Sequence, residues 1–223
     1  MRVAVFDLDG TLADTAADLI AAANAALAEA GLGRPLDPAR DAATAFAGGR
    51  AMLRQGLAGA PGGVDPAAVE RLYPRLLARY AERIAVETRL YDGAETALDR
   101  LAAGGWGLAV CTNKPEGLAV SLLAALGIGG RFRAVIGADT LAFRKPDPRH
   151  LVETILRAGG ARERAVLVGD TVNDREAARG AGVPCVLVGF GPEGAGAAAL
   201  APEAMLAHYD ELPALLERLV PLE

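Results

Sequence analysis

One feature recurs along this chain and constrains its fold more than any other. Short apolar, often β-branched runs stop abruptly on polar side chains capable of chemistry. Val3-Ala4-Val5-Phe6 runs straight into Asp7, with Asp9 two residues on, then Gly10 and Thr11. Such a run predicts a strand buried on both faces that delivers Asp7 at its carboxyl tip. Residues 108–111, 134–136, 165–168 and 185–188 predict further strands, and 116–126, 149–158 and 175–181 predict the helices between them. Strands alternating with helices make βαβ units and a parallel sheet. Ligands of such sheets sit beyond the carboxyl ends of the strands, so the polar tips should gather at one edge.

The first two predicted core strands are separated by far more chain than one crossover needs. Thr15 is placed to cap a helix over residues 16–30, with Gly31 as its stop. A second helical stretch runs over 38–57, interrupted by Gly48-Gly49. Ala60-Pro61-Gly62-Gly63 breaks the pattern, and a third stretch runs over 66–84 with Val69, Leu72, Leu76, Leu77 and Tyr80 on one side. Asp92-Gly93 opens another helix to 103. A Gly-rich loop over 189–196 precedes a last helix at 211–219. The expected fold is α/β: a Rossmann-like doubly wound parallel sheet core made of residues 1–15 plus 89–223, with an inserted all-helical cap domain at 16–88.

Composition excludes several partner classes. The net charge of −5 and the lack of a basic cluster argue against nucleic acid. No uninterrupted apolar run reaches the length of a spanning helix, so the expectation is a cytoplasmic protein with no membrane partner. Cys111 and Cys185 fall in strand-like runs and are expected to be free, buried thiols. With two histidines and no CxxC spacing, a zinc site is not expected. His150 and His208 are expected at the surface, and Trp106 is expected to pack at the start of the second core strand. Asp14 reads equally as a turn residue or a pre-cap residue, and Asp147 as holding its Pro-flanked loop. Of the 23 cationic side chains only Lys114 and Lys145 are lysine, each immediately before a proline and close after a strand-like run. A compact ammonium can approach groups that a guanidinium fork cannot.

The strand tips therefore bring together Asp7 and Asp9, then Thr112-Asn113-Lys114-Pro115, then Lys145, then Gly169-Asp170-Thr171-Val172-Asn173-Asp174. Four carboxylates in one place repel unless a cation sits among them. Oxygen-only ligation suits Mg²⁺, which holds phosphates through one or two carboxylates. A carboxylate can attack phosphorus, and the Thr112 hydroxyl, the Lys145 ammonium and the N–H groups around Gly10 can hold phosphoryl oxygens. Thr11 either fixes the turn or serves the phosphate and its surroundings.

These motifs resemble the haloacid dehalogenase superfamily, in its phosphatase branch with a helical cap. Residues 6–15 are similar to its DxDGT motif, Thr112 to its second-motif Thr/Ser, Lys145 to its lysine motif, and residues 169–174 to the GDxxxD form of its fourth. The resemblance implies Asp7 as nucleophile and Asp9 as general acid, then base. It also implies Mg²⁺ on Asp7, the Asp9 carbonyl and Asp170, with Asp174 in outer support, and the phosphoryl group held by Thr112, Asn113 and Lys145. Asp9 argues against dehalogenation, which protonates no leaving group. Within the superfamily the wording around the motifs resembles the phosphoglycolate phosphatases, implying 2-phosphoglycolate, a small anionic ester, as substrate. Gly48, Gly49 and Arg50 then stand where a substrate-facing cap loop is expected, with Arg50 or Lys114 to meet the carboxylate. A sugar-phosphate phosphatase, a phosphoglucomutase, a pyrophosphatase and an inactive binding protein on the same fold are the alternatives.

Overall fold

The computed structural model describes residues 1–59 and 63–222. Of the Gly/Pro break expected at 60–63, all but Gly63 lies outside the described residues. The chain divides into two compact units, one of Met1–Asp14 with Leu90–Glu223 and one of Thr15–Arg89.

The first unit is built on a six-stranded sheet. Its strands are β1 (Val3–Phe6), β4 (Gly107–Cys111), β5 (Ala134–Ile136), β6 (Ala165–Gly169), β7 (Cys185–Val188) and β8 (Ala204–Leu206). The short segments β2 (Ala13–Asp14) and β3 (Arg89–Leu90) form a separate two-stranded pair. The large sheet has the order β5-β4-β1-β6-β7-β8, and each pairing is parallel. β1 therefore lies between β4 and β6, in register Phe6↔Val110 and Phe6↔Val168. Asp7, Cys111-Thr112 and Gly169-Asp170 consequently leave the sheet side by side. All residues of β1, β4, β6 and β7 are buried, as continuous apolar runs in a doubly covered sheet should be. The expected strands are present to within one residue at either end. β8 is an addition: after Pro202 its Ala-Met-Leu is too short to stand out in an Ala/Gly-rich segment.

Five α-helices and four short 3₁₀ segments complete this unit among the described residues; the α-helices are α5 (Ala94–Ala103), α6 (Glu116–Ala125), α7 (Pro148–Arg157), α8 (Val172–Ala181) and α9 (Leu212–Leu219). Leu151 and Ile155 of α7 and Ala178 and Ala181 of α8 join Val3, Val5, Ala109, Leu167 and Leu187 in one core cluster. Asp147 N-caps α7 by accepting from Arg149 N at 3.0 Å, the loop-holding role its position predicts. Helix α8 begins three residues earlier than the sequence pattern predicts, because Thr171 and Asp174 organise its first turn.

The second unit is helical, with α1 (Ala16–Glu29), α2 (Pro38–Phe46), α3 (Gly49–Leu57) and α4 (Pro66–Glu82). Ile20, Ala23 and Leu27 of α1 are buried, as are Val69, Leu72, Leu76 and Tyr80 of α4. At Gly56 a Cβ would fall 2.3 Å from Leu27 Cδ1, so α3 packs closely on the Leu27 side chain of α1 at that glycine. No described helix is long and apolar enough to cross a membrane. Cys111 and Cys185 are free and buried, and Trp106 is buried just before β4. His208 is exposed and paired with Asp210. His150, expected at the surface, is fully buried. One ring nitrogen lies 3.0 Å from Gly137 O and the other 3.2 Å from Cys111 Sγ, so both are satisfied inside the core. Burial lowers its pKa, because desolvation disfavours the imidazolium.

Candidate active site

The turn after β1 is wound around one carbonyl. Leu8 O accepts from the N–H groups of Thr11, Leu12 and Ala13, while Gly10 N donates to Ala13 O at 2.9 Å. Gly10 sits at φ 78°, a conformation that L-residues rarely adopt. This winding places Asp7, Asp9 and Thr11 at the tip of β1 without regular secondary structure to hold them. Asp174 reaches the same place from α8. A Cβ on Gly169 would lie 2.4 Å from Asp174 Cγ, so only glycine lets that carboxylate fold back against the end of β6.

Oxygens of Asp7, Asp170 and Asp174 lie within 4.8 Å of one another, and all three residues are buried. The third is fully engaged: Asp174 Oδ1 accepts from Lys145 Nζ at 2.6 Å, and its Oδ2 accepts from Thr171 N at 3.1 Å and Thr171 Oγ1 at 2.8 Å. The other two are not. Asp170 Oδ1 accepts from Thr11 Oγ1 at 2.7 Å, while its Oδ2 is buried without a hydrogen-bond partner. Asp7 Oδ1 stands 3.0 Å from Lys145 Nζ as an ion pair, at an angle that leaves it without a hydrogen bond.

The electrostatics follow from this arrangement. Burial, and then the charges of Asp174 and Asp9, push the Asp7 carboxyl up to about 6 despite Lys145. Burial, with Asp7 and Asp174, raises Asp170 well above the usual carboxylate range. Burial alone would lower the Lys145 ammonium, but Asp174 and Asp7 outweigh it and its pKa is raised. Three carboxylates against one ammonium leave the cluster short of positive charge. Asp170 Oδ2, buried without a donor, and Asp7 Oδ1, compensated only by the Lys145 ion pair, are costly as they stand. An oxygen-seeking cation satisfies both conditions, so the residues present fit a divalent ion held by Asp7 and Asp170. Asp174, with both oxygens occupied, is placed to support them.

The remaining expected residues divide into those near this cluster and those elsewhere. Lys114 Nζ donates to both oxygens of Asp9 at 2.9 Å and is buried. Thr112 is buried, and its hydroxyl oxygen accepts from Lys114 N at 3.2 Å. Asn113 Nδ2 donates to Lys145 O at 3.0 Å, strapping the Lys145 loop to the end of β4. Thr11, left open by the sequence, gives its hydroxyl to Asp170. Gly48, Gly49 and Arg50 lie in the helical unit. Gly48 precedes α3 at φ 99°, and a Cβ on Gly49 would meet Tyr73 Cε2 at 2.9 Å. The Arg50 fork is paired with both oxygens of Glu70, at 2.7 and 2.9 Å, and stacks 3.7 Å over the Tyr73 ring.

Strand-tip logic also covers residues that motif reading passed over. Beyond β7, a Cβ on Gly191 would lie 2.7 Å from Gly10 O and 3.3 Å from Asp170 Cβ, so this loop backs directly onto the acid cluster. Tyr209 donates to Thr11 O at 2.7 Å from far along the chain, and no local signal marks it.

Both the parallel sheet order and the four clustered motifs define one class. The description "Haloacid dehalogenase-like hydrolase" matches residues 4–188, and the chain belongs to that family of enzymes. Along its length it is similar to particular members. A phosphoglycolate phosphatase of Mesorhizobium japonicum is 42% identical over 219 residues, covering 98% of this chain and 96% of the relative. One of Agrobacterium fabrum is 42% identical over 219 residues, covering 98% and 94%. Among solved structures, a predicted phosphoglycolate phosphatase of Haemophilus somnus superposes with a TM-score of 0.85 at 25% identity, covering 96% of this chain and 97% of that one.

Proposed function

We propose that this enzyme hydrolyses 2-phosphoglycolate to glycolate and phosphate through an aspartyl-phosphate on Asp7, with Mg²⁺ held by Asp7, the Asp9 carbonyl and Asp170. The observation that carries the chemistry is the convergence of the buried Asp7, Asp170 and Asp174 carboxylates, with Asp170 Oδ2 lacking a donor and Asp7 Oδ1 held only by the Lys145 ion pair. The substrate rests on the relatives, which are named phosphoglycolate phosphatase. When bound, Mg²⁺ supplies charge neutralisation that lets a phosphate dianion approach a carboxylate.

The chain's own residues do the rest. Lys145 lies against both Asp7 and Asp174 and orients the nucleophile. An Asp7 carboxylate oxygen attacks phosphorus, the P–O ester bond breaks, and Asp9, in its acid form once released from the Lys114 ammonium, gives its proton to the departing glycolate oxygen. In the second half a water attacks phosphorus, Asp9 takes its proton, and the P–O bond to Asp7 breaks. Phosphate leaves and Asp7 is restored. The Thr112 hydroxyl holds a phosphoryl oxygen as charge shifts onto it; the N–H groups of Gly10 and Thr11, expected to help, are engaged within the turn by Ala13 O and Leu8 O.

Lys114 is the proposed partner of the substrate's carboxylate. Its ammonium is buried against both oxygens of Asp9, and it lies in the same unit as the nucleophile. Gly48, Gly49 and Arg50 stay candidates for that carboxylate, although Arg50 must first leave Glu70.

A turnover screen with Mg²⁺ over small phosphate esters tests the assignment. The expected result is a kcat/KM for 2-phosphoglycolate well above those for glucose phosphates, pyrophosphate and an aryl phosphate. If 2-phosphoglycolate is no better than these, the substrate is wrong while the phosphatase chemistry stands. In the same screen, Lys114→Ala and Arg50→Ala show which cation reads the carboxylate, through a KM rise confined to carboxylated esters.

A further inference from the structure

Motif chemistry leaves one buried polar group unexplained at the back of the acid cluster. Tyr209 is fully buried in the short 3₁₀ segment Tyr209–Glu211, before α9. Its hydroxyl donates to Thr11 O at 2.7 Å across a sequence separation of 198 residues. Its ring packs 5.4 Å from that of Phe190, which in turn lies 4.9 Å from Tyr91. Tyr91 N donates to the next carbonyl, Leu12 O, at 3.1 Å. Two successive carbonyls of the catalytic turn are thus held by one aromatic cluster.

The orientation of the Thr11–Leu12 peptide plane helps fix where the Thr11 side chain points. That side chain donates to Asp170 Oδ1 at 2.7 Å and leaves Oδ2 without a donor. The line Tyr209 hydroxyl, Thr11 carbonyl, Thr11 hydroxyl, Asp170 Oδ1 therefore ends on a carboxylate with one oxygen occupied and the other presented. Gly191 also comes close, where a Cβ would be 2.7 Å from Gly10 O and 3.3 Å from Asp170 Cβ. We infer that Tyr209 is a positioning residue for the cation site, pinning the Thr11 peptide so that Thr11 occupies one Asp170 oxygen and leaves the other for the metal. The inference rests on the proposed cation site and assigns a determinant of its affinity.

The test is calorimetric titration of Mg²⁺ into the metal-free full-length protein and its variants, with metal-free melting curves recorded alongside. Partners that orient a metal ligand typically change affinity 10- to 100-fold, so Thr11→Val should weaken Mg²⁺ binding by about that much. Thr11→Ser, which keeps the hydroxyl, should stay within about twofold of the wild type. Tyr209→Phe keeps the ring beside Phe190 and loses only the donor. Acting one step further out, it should weaken binding by roughly three- to tenfold. Tyr209→Phe combined with Thr11→Val should bind like Thr11→Val alone, because both act through one carboxylate.

p-Aminophenylalanine at 209 keeps a weaker donor and should give a Kd between those of Tyr and Phe. If the Phe variant does not fold, this variant gives the reading against the wild type alone: a weaker Kd supports the proposal and an unchanged Kd overturns it. In turnover, Tyr209→Phe should raise the Mg²⁺ concentration needed for half-activity while leaving kcat at saturating Mg²⁺ close to the wild type. A lower melting temperature with unchanged Kd would make Tyr209 a packing residue and overturn the proposal. Additive losses in the double variant would do the same. Failure of the wild type to bind Mg²⁺ would instead overturn the cation site itself, a result separable from either of these.

Discussion

Asp18 and Asp170 are both buried carboxylates, one in each unit, and their surroundings are opposite. Asp18, in the first turn of α1, accepts from the backbone N–H groups of Val86, Glu87 and Thr88 and from the Thr88 hydroxyl, at 2.8–3.2 Å. Every oxygen there has donors, and the carboxylate ties the start of the helical unit to its end. Asp170 has a donor on one oxygen only, and Asp7 shares an ammonium with Asp174. A satisfied buried carboxylate is a structural clamp. An unsatisfied pair beside like charges stores free energy that a cation can relieve. The difference between the two regions lies in donors rather than in burial.

Substitution has its largest expected effect at Asp7. Asp7→Asn removes the nucleophile and should reduce turnover by at least about 10⁴-fold. The metal-free protein should be no less stable, because a charge held against burial and repulsion has been removed. A steady-state assay and a melting curve on the same preparation read both outcomes, and retained turnover would refute nucleophilic catalysis by Asp7. Next in size is Asp9→Asn, expected to slow alkyl phosphate hydrolysis by about 10²–10⁴-fold. Aryl phosphates, whose leaving groups need less protonation, should lose less when formation of the phosphoenzyme limits the rate.

Asp18→Asn sharpens the contrast from the other side. It should destabilise the protein by on the order of 3 kcal/mol, because an amide cannot replace a carboxylate facing only donors. Denaturant melts would measure this. A neutral result would mean that the Asp18 clamp is not what joins the ends of the helical unit.

How much of this was legible beforehand depended on distance along the chain. Strands 134–136 and 185–188 match residue for residue because short apolar runs bounded by polar tips carry their own punctuation. Asp7, Asp9, Thr112, Lys145, Asp170 and Asp174 could be grouped because parallel topology sends strand tips to one edge. Asp18, Tyr209 and His150 could not be interpreted. Their partners lie 70, 198 and 39 residues away, and nothing local distinguishes a buried histidine on α7 from a surface one. Lys114 was legible as a special cation, but its attachment to Asp9 needed three dimensions.

A smaller effect concerns pH. The metal-free Asp7 carboxyl is raised to about 6 from the ordinary 3.8. Its contribution to stability is therefore fully present below about pH 4 and lost as pH rises through 6. That difference corresponds to about 3 kcal/mol at most. Mg²⁺ should thus raise the melting temperature more at pH 7 than at pH 4.5. An equal rise at both would mean that the cation does not relieve the carboxylate charge.

The most direct test of the account is hydrolysis of 2-phosphoglycolate by protein stripped with a chelator, followed as Mg²⁺ is returned. The account predicts no turnover in the stripped enzyme and saturable recovery with Mg²⁺, with no recovery in Asp170→Asn at the same Mg²⁺ concentrations. Full turnover by the stripped wild type, or equal recovery in Asp170→Asn, would contradict it.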